Sequence, residues 1–458
     1  MQLRTGASKM VRGAAARTTA NLPRLSPRST TITTRPQTPL DVRISQSRAF
    51  FSTSRRDASA FSAAVSVAGN IVSNAFTRAT KGDMPSIDPL RVVAKEMKFL
   101  TGNIRKLLGS GHPSLDRAAK YYTQAEGKHV RPLIVLLMAR ATSFCPKEPQ
   151  RQQSTISASA AIDSSISPLS VLSDFNPSAM TPAAVEAEST DVDILPSQRR
   201  LAEITELIHT ASLLHDDVID HSISRRGSPS ANLEFGNKMA VLAGDFLLGR
   251  ASVALARLRH AEVVELLATV IANLVEGEFM QLKNTARDEK NPRWSEETLT
   301  YYLQKTYLKT ASLISKSCRA SALLGGADSA TVDAAYAYGK NLGLAFQLVD
   351  DMLDYTRSEQ ELGKPAGADL ELGLATAPLL FAWKTEPELG ALVGRKFERE
   401  GDVARARDLV MQSDGIEQTR ALAEDYAQKA IDAISAFPDS EAKDGLIEMA
   451  VKTIKRRK

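Results

Sequence analysis

From residue 87 to the end of the chain, apolar residues recur at intervals of three and four, as in Leu90, Val93, Met97, Leu100, Ile104, Leu107 and Leu108. That spacing puts them on one stripe of an α-helix. The pattern persists over most of the chain, and no segment alternates with the period of two that a half-buried strand shows. An all-α architecture is expected. Two regions fall outside it. One is the N-terminal stretch to about residue 85. The other, residues 146 to 197, is rich in Ser, Ala and Pro, as in QQSTISASAA and STDVDILPSQ. It reads as a disordered insertion between two core helices. An insertion on the surface adds little closure entropy for its length.

Composition sharpens this picture. The chain has 458 residues, 43% hydrophobic but only 5% aromatic, enough for one large domain or two ordinary ones. Abundant Ala and Leu with few aromatics suit helices better than sheets. Two cysteines, Cys145 and Cys318, are too few for a disulfide framework or a cysteine metal centre. They fit a reducing intracellular compartment.

The formal charge of +5 is unevenly spread. Residues 1–57 hold ten Arg and one Lys against Asp41 and Asp57, a net of +9, so the remainder carries −4. The basic character belongs to the leader and gives no argument for nucleic-acid binding. A leader rich in Arg, Ser, Thr and Ala, with no acid before Asp41, has the composition of a transit peptide. RAFFSTS (48–54) has the Arg-then-aromatic character of a matrix processing site. The expected organisation is a mitochondrial transit peptide over 1–57, a linker over 58–85, and a helical domain over 86–458 interrupted by the insertion. No apolar run reaches the roughly 18 residues that span a bilayer. Membrane contact is therefore expected to be peripheral.

Candidate chemistry sits at the ends of two apolar helical runs. In LLHDDVID, Asp216 and Asp220 are four apart and share a helix face, with Asp217 beside them. One acidic helix end is ordinarily a solvated face. However, FQLVDDMLDY repeats the spacing with Asp350, Asp351 and Asp354, again directly after an apolar run. Two such clusters make two carboxylate walls if their helices face each other. All-oxygen donors suit Mg2+, which binds through a few carboxylates plus substrate phosphates and water. Arg225 and Arg226 follow the first cluster closely enough to reach the same anion, and Arg suits bidentate phosphate contacts. Lys128 and Arg131 lie one helical turn apart beside Gly127. His209, two turns before Asp216, would face the same cavity. Taken singly, these bases read as a solvated helix start and a core histidine.

In chain order, GKHVRP (127–132), HTASLLHDDVID (209–220), RRG (225–227), YLKTASL (307–313) and FQLVDDMLDY (346–355) resemble the trans-polyprenyl diphosphate synthases of the isoprenoid synthase family. The resemblance spans about residues 87 to 458 apart from the insertion. It is strongest to long-chain members that make the ubiquinone side chain in mitochondria. It implies a helical bundle around a central cavity, usually dimeric. It also implies Mg2+-dependent 1′-4 condensation of isopentenyl diphosphate onto an allylic diphosphate such as farnesyl or geranylgeranyl diphosphate, in the matrix or at the matrix face of the inner membrane. By the resemblance, Asp216, Asp217 and Asp220 hold Mg2+ on the allylic diphosphate, and Asp350, with Asp351 and Asp354, holds a further Mg2+. Lys128, Arg131, His209 and Arg226 would bind isopentenyl diphosphate. Arg225, Lys309 and Lys364 would meet the allylic diphosphate, and Thr310 and Gln347 would line the reacting centre. The basic C-terminus, KRRK (455–458), is either a further diphosphate contact or a solvated end.

The resemblance also makes Ala211 and Ser212, one turn deeper than Asp216, markers of product length. Bulky aromatics there close the tunnel in this family. Small residues predict a product longer than geranylgeranyl, although they would also permit close helix packing. A terpene cyclase would not need GKHVRP or two intact clusters. A non-catalytic subunit of a heteromeric synthase would be expected to have lost aspartates or the arginine pair, and all are present. Whether the enzyme is a homodimer or a heteromer is left open.

Overall fold

The computed structural model describes residues 87–124, 129–148, 193–225, 228–282, 292–356 and 367–456. The expected leader and linker, most of the insertion, and the candidate site residues Lys128, Arg226 and Lys364 lie outside the described residues.

The described chain is helical, as the periodicity predicts. Its main helices are α1 (Ala94–Leu107), α2 (Pro113–Gln124), α3 (Val130–Ser143), α4 (Pro196–Ile219), α5 (Asn237–Arg257), α6 (Ala261–Leu282) and α7 (Glu296–Thr306). A π-helical turn, Tyr307–Ala311, leads into α8 (Ser312–Leu324). Then follow α9 (Ser329–Thr356), α10 (Ala377–Trp383), α11 (Glu388–Gly394), α12 (Asp402–Gln412), α13 (Gly415–Ala433) and α14 (Glu441–Ile454). The boundaries follow local chemistry. α4 opens on Pro196, whose φ suits a first turn, and the Leu195 N–H donates to Gln198 Oε1 at 2.9 Å. α14 opens on Ser440, whose side chain accepts the Lys443 N–H.

The all-α expectation holds: the exception to helix is a two-residue antiparallel pair among the described residues, Ser224–Arg225 with Ser228–Pro229, too short to show a period of two. One expectation needs correction. α5 is long and apolar enough to cross a membrane by length and composition, contrary to the sequence expectation of no such run. Nearly half of its apolar window is buried in the protein, where α5 packs along α4.

α9 packs along both α8 and α13, and α3 packs against α4, α8 and α14. The buried side chains form two apolar clusters. The larger gathers α3, α4, α5, α8 and the N-terminal part of α9. The smaller gathers Tyr302, the C-terminal part of α9 from Leu348, and α10. The second aspartate cluster therefore ends a helix that runs from one core into the other. The π turn lies between α6 and α9, and two glycines permit its approach. A Cβ on Gly277 of α6 would sit 2.7 Å from Lys309 Cγ, and one on Gly343 of α9 would sit 2.6 Å from Ala311 Cα.

Candidate active site

The first cluster ends α4. Carboxylates there stand at the negative end of the helix dipole, which disfavours them unless cations are near. Each of the three meets this differently. Asp217 is fully buried. Arg225 reaches its Oδ1 through Nε at 2.8 Å and through a terminal nitrogen at 2.6 Å. Its other oxygen accepts the Tyr122 hydroxyl from α2. That hydroxyl in turn accepts the Ala231 N–H at 2.8 Å. Asp216 and Asp220 are only partly buried. Burial pushes the Asp216 carboxyl up to about 6 against the pull of Lys309, with Glu278 and Asp220 repelling it. Burial raises Asp220 too, again opposed by Lys309.

The second cluster ends α9. Asp350 is partly exposed and meets Arg456 from the C-terminus at 2.6 Å. The Arg456 guanidinium lies over the Phe346 ring, 4.6 Å from its centre. Asp351 is buried and accepts three donors. These are the Tyr302 hydroxyl of α7 at 2.5 Å, Gln347 Nε2 at 2.9 Å and the Ala377 N–H at 3.5 Å. Burial raises its carboxyl, opposed by the Tyr302 and Gln347 hydrogen bonds and by Lys305, with Asp350 repelling it. Asp354 is buried and accepts the Asp369 N–H at 3.2 Å.

The span from α7 through the π turn connects the two walls. Lys309 pairs with Glu278 of α6 at 2.5 Å and pulls on Asp216 and Asp220. Thr310, the next residue, donates to Gln347 Oε1 at 2.9 Å. Lys305, one turn earlier, faces Asp351 and is lowered by burial. Neighbouring side chains thus serve opposite clusters.

The GKHVRP end of the site is built on the N-terminus of α3. Arg131 stands in its first turn, where the dipole favours anions. It approaches His209 Nε2 of α4 at 2.9 Å, and His129 Nδ1 approaches Glu206 Oε1 at 3.0 Å. Arg131 and Phe346 line one cavity, so this end adjoins the second cluster. Ala211 is fully buried in α4. Ser212 is partly buried and donates to the His209 carbonyl at 2.9 Å.

The structure thus brings Asp216, Asp220, Arg225, Lys309, Thr310, Gln347 and Asp350 into connected networks. It seats Asp217, Asp351 and Asp354 inside the protein, held by protein donors. Sequence reasoning missed Tyr122, Glu278, Tyr302 and Lys305, and of the basic C-terminal stretch it had singled out, Arg456 pairs with Asp350. An acid inside the apolar run of VEGEFMQL was a signal for Glu278. The two tyrosines gave none, because buried aromatics are the ordinary content of helix cores.

The donor set fits a hard divalent cation. Asp216, Asp220 and Asp350 are the cluster carboxylates that reach solvent, all offer oxygen, and all stand near negative helix ends. Among the described residues, no group of three or more His, Cys, Asp or Glu side chains stands ready to chelate a metal alone.

The polyprenyl synthetase family model matches residues 178–410. A Neurospora crassa protein described as a probable mitochondrial hexaprenyl pyrophosphate synthase is 81% identical over 460 residues, with both chains covered completely. The mitochondrial hexaprenyl pyrophosphate synthase of Saccharomyces cerevisiae is 46% identical, covering 84% of this chain and 94% of the yeast protein. A polyprenyl synthase of Caulobacter crescentus, solved with calcium and isoprenyl diphosphate, superposes with a TM-score of 0.65 at 31% identity, covering 82% of this chain and 100% of that one.

Proposed function

The chain belongs to the polyprenyl synthetase family, and from that premise we propose that it is a mitochondrial long-chain trans-polyprenyl diphosphate synthase. It condenses isopentenyl diphosphate onto an allylic diphosphate and supplies the ubiquinone side chain. The likeness to hexaprenyl synthases favours a product of six isoprene units. The observation that carries this reading is the pair of aspartate-ended helices joined through Lys305, Lys309 and Thr310.

In the reaction, the allylic C–O bond breaks and negative charge collects on the departing diphosphate. Arg225 and Lys309 stand where they stabilise that charge as it develops. We assign the same role to Lys364, which lies outside the described residues. Divalent metal dependence follows from the family, and we assign Mg2+ to Asp216, Asp220 and Asp350. When bound, Mg2+ supplies positive charge to the allylic diphosphate. Asp217 serves by holding Arg225, and Asp351 and Asp354 by shaping the second wall. Arg131 and His209, with Lys128 and Arg226, hold isopentenyl diphosphate, so that its double bond meets the allylic carbon in register. Thr310 and Gln347 line that meeting point. The buried surroundings exclude water, which would otherwise quench the allylic cation. The proton released from the condensed product passes to the diphosphate.

Ala211 and Ser212 leave space below the first cluster for the growing chain. Residues 1–57 act as the transit peptide, 58–85 as a linker, and the stretch between 148 and 193 as an insertion between α3 and α4, whose described ends at Ile194 and Ser197 are already buried. α5 exposes Val241, Leu242 and Val253, and α6 exposes Val275, Phe279 and Leu282. An apolar surface of this kind suits a second copy of the chain.

The test is incubation of purified protein with farnesyl diphosphate, labelled isopentenyl diphosphate and Mg2+, followed by chromatography. Products longer than geranylgeranyl, lost with a chelator and restored by Mg2+, are expected. No elongation by the protein alone would overturn the reading.

A further inference from the structure

Tyr302 touches none of the groups assigned to substrate, yet it sits at the end of a chain of hydrogen bonds leading to them. Its ring is buried in α7, and its hydroxyl donates to Asp351 Oδ2 at 2.5 Å. Asp351 Oδ1 accepts Gln347 Nε2 at 2.9 Å, one helical turn back on α9. Gln347 Oε1 accepts the Thr310 hydroxyl at 2.9 Å. We propose that Tyr302 is a positioning residue: by fixing Asp351 it locks the Gln347 amide with its nitrogen inward and its oxygen toward the reacting centre.

The polarity of the Gln347 amide is fixed by its two partners. A primary amide has a donor end and an acceptor end. Asp351 faces donors from three elements, α7, α9 and α10, so it acts as an acceptor and takes the nitrogen end of Gln347. The oxygen end is then turned toward Thr310. A carbonyl oxygen carries two lone pairs, of which the Thr310 hydroxyl uses one. The other presents partial negative charge where the allylic carbon becomes positive. A dipole aimed in advance at developing charge costs no reorganisation during the reaction. With the amide reversed, two N–H groups would face the same carbon and oppose the charge. Without the Tyr302 hydroxyl, Asp351 can turn toward the Lys305 ammonium, its electrostatic neighbour, and release the amide.

This inference rests on the reading that Gln347 and Thr310 face the reacting centre, and the experiment separates the two. Tyr302→Phe and Gln347→Leu are made in the full chain and assayed with Mg2+. Affinity is measured for farnesyl thiolodiphosphate, neutral at the reacting carbon. It is also measured for a farnesyl-length diphosphate whose reacting carbon is replaced by a cationic nitrogen. Tyr302→Phe is expected to lower kcat about 10- to 100-fold and to weaken the cationic analogue comparably, the usual effect of losing an outer support. KM for both substrates and affinity for the thiolodiphosphate should stay within about twofold of the parent. Asp351→Asn, which replaces one acceptor oxygen by a donor, should behave alike and serves if Tyr302→Phe does not fold. Unchanged kcat, or equal weakening of both analogues, overturns the proposal. If Gln347→Leu abolishes the preference for the cationic analogue and Tyr302→Phe does not, the positioning role alone fails. If Gln347→Leu leaves that preference intact, the reading of the site fails beneath it.

Discussion

Asp216 and Asp217 are neighbours in sequence with opposite surroundings. Asp217 is enclosed by Arg225 and Tyr122, whereas Asp216 reaches solvent with its carboxyl pushed up to about 6 by burial. Their substitutions should therefore fail in different ways. Asp216→Asn and Asp350→Asn are expected to lower kcat about a thousandfold or more with far-UV circular dichroism unchanged, because each removes charge that anchors the metal. Near-normal turnover in either would remove that residue from the metal set. Tyr122→Phe should act on stability first. It leaves an oxygen of Asp217 and the Ala231 N–H without their shared partner, at a cost of about 1–3 kcal/mol in urea unfolding. A variant as stable as the parent would show that the hydroxyl contributes nothing net.

At the scale of elements, the π turn is what lets Lys309 and Thr310 serve opposite walls. π turns are short and recur at functional sites in helices. This one is seated between α6 and α9 by Gly277 and Gly343. Gly343→Ala would drive a methyl group against the Ala311 backbone, which cannot swing aside as a side-chain tip can. We expect a loss of about 1–3 kcal/mol from overpacking, together with a fall in kcat as Thr310 leaves Gln347. Unaltered thermal melting and turnover would show that the helices adjust freely. α4 carries a second expectation. On the proposed reading, Ala211→Phe puts an aromatic ring one turn beneath Asp216 and should shorten the product, as read by chromatography of the dephosphorylated chains. Unchanged product length would defeat the role assigned to Ala211.

For the whole molecule, the exposed apolar side chains of α5 and α6 carry the expectation of self-association. Val275, Phe279 and Leu282 follow helical spacing along one side of α6. Phe279→Asp places a charge in that surface and should shift sedimentation from dimer to monomer. A parent protein that sediments as a monomer would end the proposal.

The sequence by itself determined the helical class, the two aspartate clusters and the bases around them, because helical period and i, i+4 spacing are local properties of the chain. It also marked Thr310 and Gln347, through their place in motifs that resemble a known family. It did not separate Asp216 from Asp217, or Asp350 from Asp351, since each pair shares one motif and differs only in what packs against it. Tertiary structure decided that difference. Tyr122 comes from 95 residues before Asp217, and Tyr302 from 49 before Asp351. Partners so far apart in the chain meet only when helices pack, and burial and hydrogen bonding are fixed by that packing.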